Sequence, residues 1–273
     1  MYLTRSLLLY WLIWAVSPMV AQPTHRQEDE IVFALEVKQL DEFFERFNQD
    51  STTLLVRFME EQAPGTRLDR PTLLLSLFNE EKADWNAEHL TRFMTRVTDS
   101  LKPVRLHFYD ADWYARLRCE VRYHNRTEQV WLTLRIEQVG DAAKWIICGI
   151  EAPFLNLPPG RDSLRHLNPI SHGTDFLGLH KALRDSLNLP NYLPQTYRPD
   201  LLAVFMHEVQ TGEIQLVQVS SITYHFLQVE GWIFTVDKFI RPSRNAGWLI
   251  SDLTPAGAIA KSMYKQDVLH LPE

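Results

Sequence analysis

The sequence is poor in the residues that most often reveal a protein's chemistry. Its 273 residues include only two cysteines, Cys119 and Cys148, so at most one internal disulfide can form and no disulfide framework is expected. It has no run of charge of either sign, and its formal net charge is −6. Because neutralising phosphates requires clustered Lys and Arg, this pattern argues against nucleic acid as a partner.

Catalytic and cofactor motifs are also missing. No HExxH, GxSxG, P-loop or GxGxxG pattern occurs, and the stretch that begins at His207 lacks the second histidine of a zinc-binding helix. Ser262 and Lys265 fit a Ser-x-x-Lys spacing without its companion motifs, which makes chance the better explanation. Three histidines lack the close spacing of zinc ligands: His166, His172 and His180. The sequence therefore predicts neither a metal site nor a cofactor.

One apolar stretch stands out, at the N-terminus. Residues 6–20 are almost entirely apolar, and Arg5 precedes them. Ala21 supplies a small residue of the kind that signal-peptide cleavage sites contain. The stretch is shorter than the roughly 20 residues that span a bilayer. We expect residues 1–22 to be a cleaved signal peptide, with an uncleaved anchor as the alternative. The remaining chain would be exported, periplasmic or secreted, with no membrane span.

The chain after residue 28 begins with helical periodicity. Apolar residues recur at spacings of three and four, which predicts a helix with one buried face: Phe33, Val37, Leu40, Phe44 and Phe47. Three further helices are predicted at residues 52–62, 70–81 and 86–101. Pro71 would lie in the first turn of the third helix, and Asn86 would cap the fourth.

From Val104 the period changes from helical to alternating. Residues 113–123, 130–139 and 144–152 predict an antiparallel meander with one apolar and one charged face. The apolar face is predicted to include Ala115, Leu117, Cys119, Val121, Leu132, Leu134, Ile136, Ile146, Cys148 and Ile150. The two cysteines would lie two strand spacings apart, roughly 9.5 Å. A disulfide needs Cα atoms within about 7 Å, so two free thiols are expected.

A second, shorter unit follows a Pro- and Gly-rich segment. The segment AGWLISDLTPA at residues 246–256 repeats the pattern of AKWIICGIEAP at residues 143–153. Helices are predicted at residues 174–187 and 198–209, and strands at 214–227, 231–240 and 247–253, with a bulge at Ser220-Ser221. The predicted domains are residues 23–154 and 174–273, joined by a linker at 155–173.

Long N-terminal helices followed by a curved antiparallel sheet resemble the NTF2-like (cystatin-like, SnoaL-like) superfamily. The segments LDEFFERFN and LLSLFNEE, at residues 40–48 and 74–81, are similar to segments of exported bacterial members. The resemblance implies an α+β cone, repeated in the shorter second unit. In this family the cone can bind a small molecule, form an enzyme pocket or be filled by core side chains, so the resemblance does not fix a function.

The candidate site residues are polar side chains that could reach the mouth of a cone: His107, Tyr109, Asp110, Tyr224, His225 and Asp237. We expect an exported, non-enzymatic binding or interaction protein whose partner is a small apolar ligand or an envelope protein. A ketosteroid-isomerase-like or SnoaL-like enzyme is the alternative, since a buried carboxylate and a hydrogen-bond donor can support such chemistry. A purely structural module, a contact surface on the arginine-rich sheet face and a homodimer also stay open.

Overall fold

The computed structural model describes residues 36–49, 54–62, 69–155, 184, 200–242 and 245–272. Within these ranges the chain has the α+β class that the sequence predicts: helices packed on one antiparallel sheet. The signal peptide predicted at 1–22 lies outside the described residues. So do the linker, except Leu155, and the helix predicted at 174–187, except Arg184.

Six helices lie within the described residues, and short polar side chains cap the first turn of three of these helices. The six are α1 (Leu40–Asn48), α2 (Leu54–Gln62), α3 (Arg70–Leu75), α4 (Ala87–Val97), α5 (Leu201–Thr211) and α6 (Ala258–Asp267). Asn86 accepts a hydrogen bond from the backbone N–H of His89 at 3.0 Å, which confirms it as the cap of α4. Asp69 caps α3 in the same way, and α3 ends at Leu75, six residues earlier than predicted.

The six strands form a single sheet. They are β1 (Trp113–Tyr123), β2 (Arg126–Val139), β3 (Ala142–Glu151), β4 (Ile214–Phe226), β5 (Trp232–Phe239) and β6 (Gly247–Pro255), in the order β3-β2-β1-β4-β5-β6. Both predicted meanders are present, and β1 and β4 pair antiparallel in the centre, with Tyr114 opposite His225 and Leu117 opposite Ile222. Val217 and Ser220 have no pairing partner on β1, so each forms a β-bulge, and the bulge at Ser220 lies at the position predicted from Ser220-Ser221.

Helices α1, α3, α4 and α5 cover one face of this sheet, which we call the helix face. Five side chains of β1 point to this face: Trp113, Ala115, Leu117, Cys119 and Val121. The residues directly opposite them on β2 and β4 point to the same face. The helices α1, α3 and α4 contribute to one apolar cluster with β5 and β6, whereas α5 contributes to a second cluster with β1, β2 and β3. The N-terminal helices α1, α3 and α4 therefore pack mainly on the C-terminal strands, whereas α5 packs on the first three strands and on Ile214 of β4.

Aromatic rings fill the space between the N-terminal helices and the C-terminal strands. Phe47 of α1 stacks on Phe234 of β5 with ring centroids 6.0 Å apart, and Phe93 of α4 lies 5.8 Å from the same ring. Phe226 lies parallel to Phe234 at 4.8 Å and to Trp113 at 5.5 Å. Such offset ring pairs add to the gain from burying large apolar surfaces.

Backbone hydrogen bonds and an ion pair also join the N-terminal segments to the C-terminal strands. The chain before α1 runs beside β6, where Val37 exchanges hydrogen bonds with Ala246 and Trp248. A Cβ on Gly247 would lie 2.0 Å from the carbonyl oxygen of Val37, so only glycine fits there. Arg96 at the end of α4 pairs with Glu230 at 2.9 Å. The N-terminal helices are thus built onto strands that follow them by more than 100 residues.

The opposite side of the sheet, which we call the tail face, is partly covered by α6 and the residues after it. The predicted alternation of β3 is wrong here, because a bulge opposite Thr133 and Leu134 changes the parity of the strand. Ile147 and Trp145, rather than Cys148 and Ile146, accompany Leu134 and Ile136 on the helix face. Cys148 packs on the tail face instead. No helix within the described ranges has the length and apolarity that crossing a membrane requires.

Candidate functional site

A row of aromatic side chains crosses the helix face from β3 to β6. We call it the aromatic row, and its members are Trp145, Trp113, Tyr224 and Trp248. Neighbouring ring centroids are 5.2 Å apart for Trp145 and Trp113, 6.1 Å for Trp113 and Tyr224, and 4.9 Å for Tyr224 and Trp248. Four strands therefore contribute to one continuous line of rings.

Exposure differs along the aromatic row. Trp113 is buried in the core, while Tyr224 and Trp248 are half-buried and Trp145 is 41% exposed. Ile136, opposite Trp145 on β2, is also half-buried. The ammonium of Lys238 lies 5.9 Å from the centre of the Trp248 ring, so a cation borders this end of the row. The row is a partly open apolar surface at the margin of the main core.

The bulge in β3 is the local feature that completes this row. With strict alternation, Trp145 would point to the tail face and Cys148 to the helix face. Because the extra residue shifts the parity, Trp145 lies opposite Ile136 and against Trp113. Sequence reasoning missed this residue, although a large aromatic side chain beside the apolar Ile146 and Ile147 was visible as a signal.

Two of the sequence-predicted site residues lie at or beside the aromatic row. Tyr224 is a member, and burial raises the pKa of its phenol. Tyr109 is 59% exposed in the loop before β1, where its ring lies 5.3 Å from Phe108. Phe108 in turn lies 5.1 Å from Trp113. The chain of rings thus links Tyr109 to Tyr224 through the core tryptophan.

The other four predicted residues lie elsewhere. His107 and Asp110 are exposed in the same loop as Tyr109, and the backbone of His107 is held by the side chain of Gln228. His225 and Asp237 lie on the tail face, because His225 follows Tyr224 directly in β4 and successive side chains alternate. The structure therefore separates the predicted set between the two sides of the sheet.

A polar cluster surrounds His225 and Asp237 on the tail face. Asp237 accepts hydrogen bonds from Thr223 at 2.5 Å and from Ser251 at 2.5 Å. Ser251 and Thr235 share a further bond at 2.8 Å. His225 is 5% exposed, and its Nδ1 lies 2.8 Å from the hydroxyl of Tyr264 on α6. Its Nε2 is buried and has no hydrogen-bond partner within the described part of the chain.

Burial governs the electrostatics of this cluster. Desolvation, with a smaller effect of the Arg116 guanidinium, lowers the pKa of His225 to about 3. His225 is therefore neutral at neutral pH. Burial likewise raises the pKa of Tyr264 to about 12, so its hydroxyl keeps its proton. The hydrogen bond that joins β4 to α6 is thus one between two neutral groups.

The cluster joins β4 to α6 through the hydrogen bond between His225 and Tyr264. An isomerase-like site needs a carboxylate and a hydrogen-bond donor on the wall of one apolar cavity. Here Asp237 already accepts two hydroxyl hydrogen bonds and lies on the side of the sheet opposite Tyr224. His225, the other titratable candidate, is buried under Tyr264.

The helix α6 was not predicted from the sequence. It is anchored by Lys261, whose ammonium donates to the carbonyls of Leu227 and Val229, and by Lys265, which pairs with Asp112 at 2.6 Å. Leu269 is fully buried after the helix ends. The helix formers of residues 258–267 were the available signal, but without an apolar stripe they give no clear amphipathic pattern.

Both cysteines are free thiols, as predicted, although on different faces of the sheet. Burial raises the pKa of the Cys119 thiol and raises that of Cys148 to about 11, so neither is an activated nucleophile. Across the ranges described above, no three His, Cys, Asp or Glu side chains are grouped closely enough to hold a metal ion.

Comparisons with known proteins give no further guide to this site. No protein-family model, curated protein or solved structure matches the chain.

Proposed function

We propose that this protein is an exported, non-enzymatic binding protein of the NTF2-like type, and that it holds a small apolar ligand against the aromatic row. The observation that carries the proposal is the partly open line of rings from Trp145 to Trp248. Sites for small molecules are mostly lined by apolar and aromatic side chains with few polar groups.

The position of the aromatic row supports binding. Trp113 belongs to the apolar cluster formed with α1, α3 and α4, and Tyr224 and Trp248 pack against that cluster, whereas Trp145 at the β3 end of the row stays exposed. Trp145 leaves a large part of its indole in water beside a buried tryptophan. An apolar molecule placed there would remove this surface from water, which contributes about 25 cal/mol per Å².

The exchanged helices support the predicted relation to a two-unit NTF2-like architecture. Each meander is covered on its apolar face by helices, and the meanders meet antiparallel at β1 and β4. Two degenerate copies that exchange helices around a two-fold axis would have this arrangement. The repeat itself, and export through the segment at residues 1–22, remain part of the proposal.

The enzyme alternative has less support. Two of its candidate residues, His225 and Asp237, lie on the tail face, away from the apolar rings. An envelope-protein partner is the second candidate, because Arg118 and Arg122 remain exposed on the tail face of β1. A partner that uses those arginines would not need the aromatic row.

Replacing Trp145 with alanine tests the proposal. We expect the intact protein to bind a neutral apolar probe, phenylnaphthylamine, with an increase in probe fluorescence. Trp145→Ala should weaken this binding about 10-fold, since a lost aromatic contact and its buried area together are worth about 1.4 kcal/mol. Titration at constant protein concentration measures the change.

Trp131→Ala is the matched control. Trp131 lies on β2 but on the tail face, near the guanidinium groups of Arg116 and Arg118, so its removal should leave probe affinity unchanged. Equal losses in both variants, or no probe binding by the intact protein, would contradict a site at the aromatic row. Thermal unfolding of each variant shows whether the fold is intact.

A further inference from the structure

The first two thirds of β4 form an open sheet edge. β5 pairs with β4 only from Thr223 to Phe226. Residues 214–222 pair with β1 on one side, and no strand among the described residues pairs with them on the other. We call residues 214–222 the β4 edge. Its outward backbone N–H and C=O groups are available to another strand.

The β4 edge is exposed and uncharged. Residues 215–221 are all exposed, and they include the apolar side chains of Leu216, Val217 and Val219. No Asp, Glu, Lys, Arg or Pro occurs between residues 214 and 222. Such a stretch lacks the charges and prolines that usually keep edge strands from pairing with other chains.

The outer edges of the same sheet are protected. Val37 and Phe78 form bridges with Gly247 and Ile250, so the N-terminal segments cover the edge of β6. The edge strand β3 carries charged side chains at Lys144 and Glu151. Only the β4 edge, within the described residues, combines an open backbone with exposed apolar side chains and no charge.

We propose that the β4 edge is the interface with a second copy of this chain, paired antiparallel around a two-fold axis. A strand that carries no charge can face itself without placing like charges opposite each other. Glu213 precedes the first residue of the β4 edge. At the other end of the edge, Asp237 is the last residue of β5 that pairs with β4, and Lys238 follows it. Antiparallel pairing brings the Glu213 end of one copy to the Lys238 end of its partner.

The bulges at Val217 and Ser220 limit the strength of this interface. They divide the β4 edge into short regular stretches, so few backbone hydrogen bonds can form in sequence. The apolar side chains of Leu216 and Val219 then supply much of the contact. A small interface of this kind is typical of weak, reversible association.

Sedimentation velocity over a range of protein concentrations tests the proposal. The intact protein is expected to pass from monomer to dimer as concentration rises. Val217→Lys places two ammonium groups at the two-fold interface and should raise the dissociation constant at least about 10-fold. Val139→Lys is the matched control, because Val139 is an equally exposed strand valine (60% against 52%) that lies outside the β4 edge. It should leave the dissociation constant unchanged.

Three results would overturn the proposal. The intact protein could remain monomeric at all concentrations, as it would if another segment of the same chain occupied the edge. The dimer could survive Val217→Lys unchanged, or respond equally to Val139→Lys, either of which would place the interface elsewhere. A complex with a different polypeptide that Val217→Lys disrupts, without any dimer, would assign the edge to another partner. Circular dichroism of both variants shows that they are folded.

Discussion

A fragment that ends at Leu155 is expected not to fold, although it contains the whole of the first predicted domain. In the complete chain, α1 and α4 pack their aromatic side chains on Phe234 and Trp232 of β5. Both rings are absent from the fragment. The fragment lacks every member of this apolar cluster that follows residue 155. At about 1.5–3 kcal/mol for each buried side chain, this loss is as large as the 5–15 kcal/mol by which domains are typically stable.

Far-ultraviolet circular dichroism and urea unfolding of residues 23–155 measure this effect. The expected result is a non-cooperative change with little helix. The complementary fragment, residues 174–273, provides the control: mixing the two should restore helical signal and a cooperative transition, because the exchanged helices regain their strands. A cooperative transition for residues 23–155 alone would contradict the exchanged packing and favour two independent domains.

Acid is expected to destabilise the protein through His225. The pKa of this side chain is lowered to about 3 in the folded state, chiefly by burial, against an ordinary value of 6.5. Below pH 6.5 the unfolded chain binds a proton that the folded chain does not, so stability falls as pH decreases toward 3. The loss between pH 7 and pH 4 should be on the order of 3 kcal/mol.

Urea unfolding at several pH values tests this expectation in three proteins. In His225→Asn the amide takes the place of Nδ1 beside Tyr264, so the variant should be less stable at pH 7 but show a shallower loss toward pH 4. His207→Asn is the control, since His207 is exposed on α5 and should keep the slope of the intact protein. Equal slopes in all three proteins would mean that His225 is not held neutral.

The strands and helices could be predicted because their patterns are local. The alternation in residues 113–123 matches β1 at both ends, and the Asn86 cap fixes the start of α4. The bulge at Ser220 was also visible, since paired serines interrupt the apolar alternation of β4. Each of these features depends on residues within a few positions of one another.

The packing of helices on strands could not be predicted in this way. Which meander receives α1 depends on contacts such as Phe47 with Phe234, which join residues far apart in the chain. The apolar stripe of α1 shows that it must be buried, but not where. The same holds for α6, whose attachment depends on hydrogen bonds such as Tyr264 with His225 rather than on an apolar stripe.

The candidate site was predicted in part for a related reason. Tyr224 contacts Trp113 directly, and Tyr109 is connected to the same tryptophan through Phe108. His225 does not join them, because adjacent residues of a strand face opposite sides. Trp145 was missed because one extra residue in β3 reverses the side that it faces. A single bulge thus decides whether the aromatic row is complete.

The binding proposal is tested most directly by a native mass spectrum of the protein purified from its own source, compared with a denatured spectrum of the same sample. The account predicts extra mass on the folded chain that disappears on denaturation and belongs to a small apolar molecule. Trp145→Ala, purified in the same way, should lose most of that mass. A folded intact chain with no added mass, in its monomer and dimer peaks alike, would contradict the proposal that the aromatic row binds a ligand.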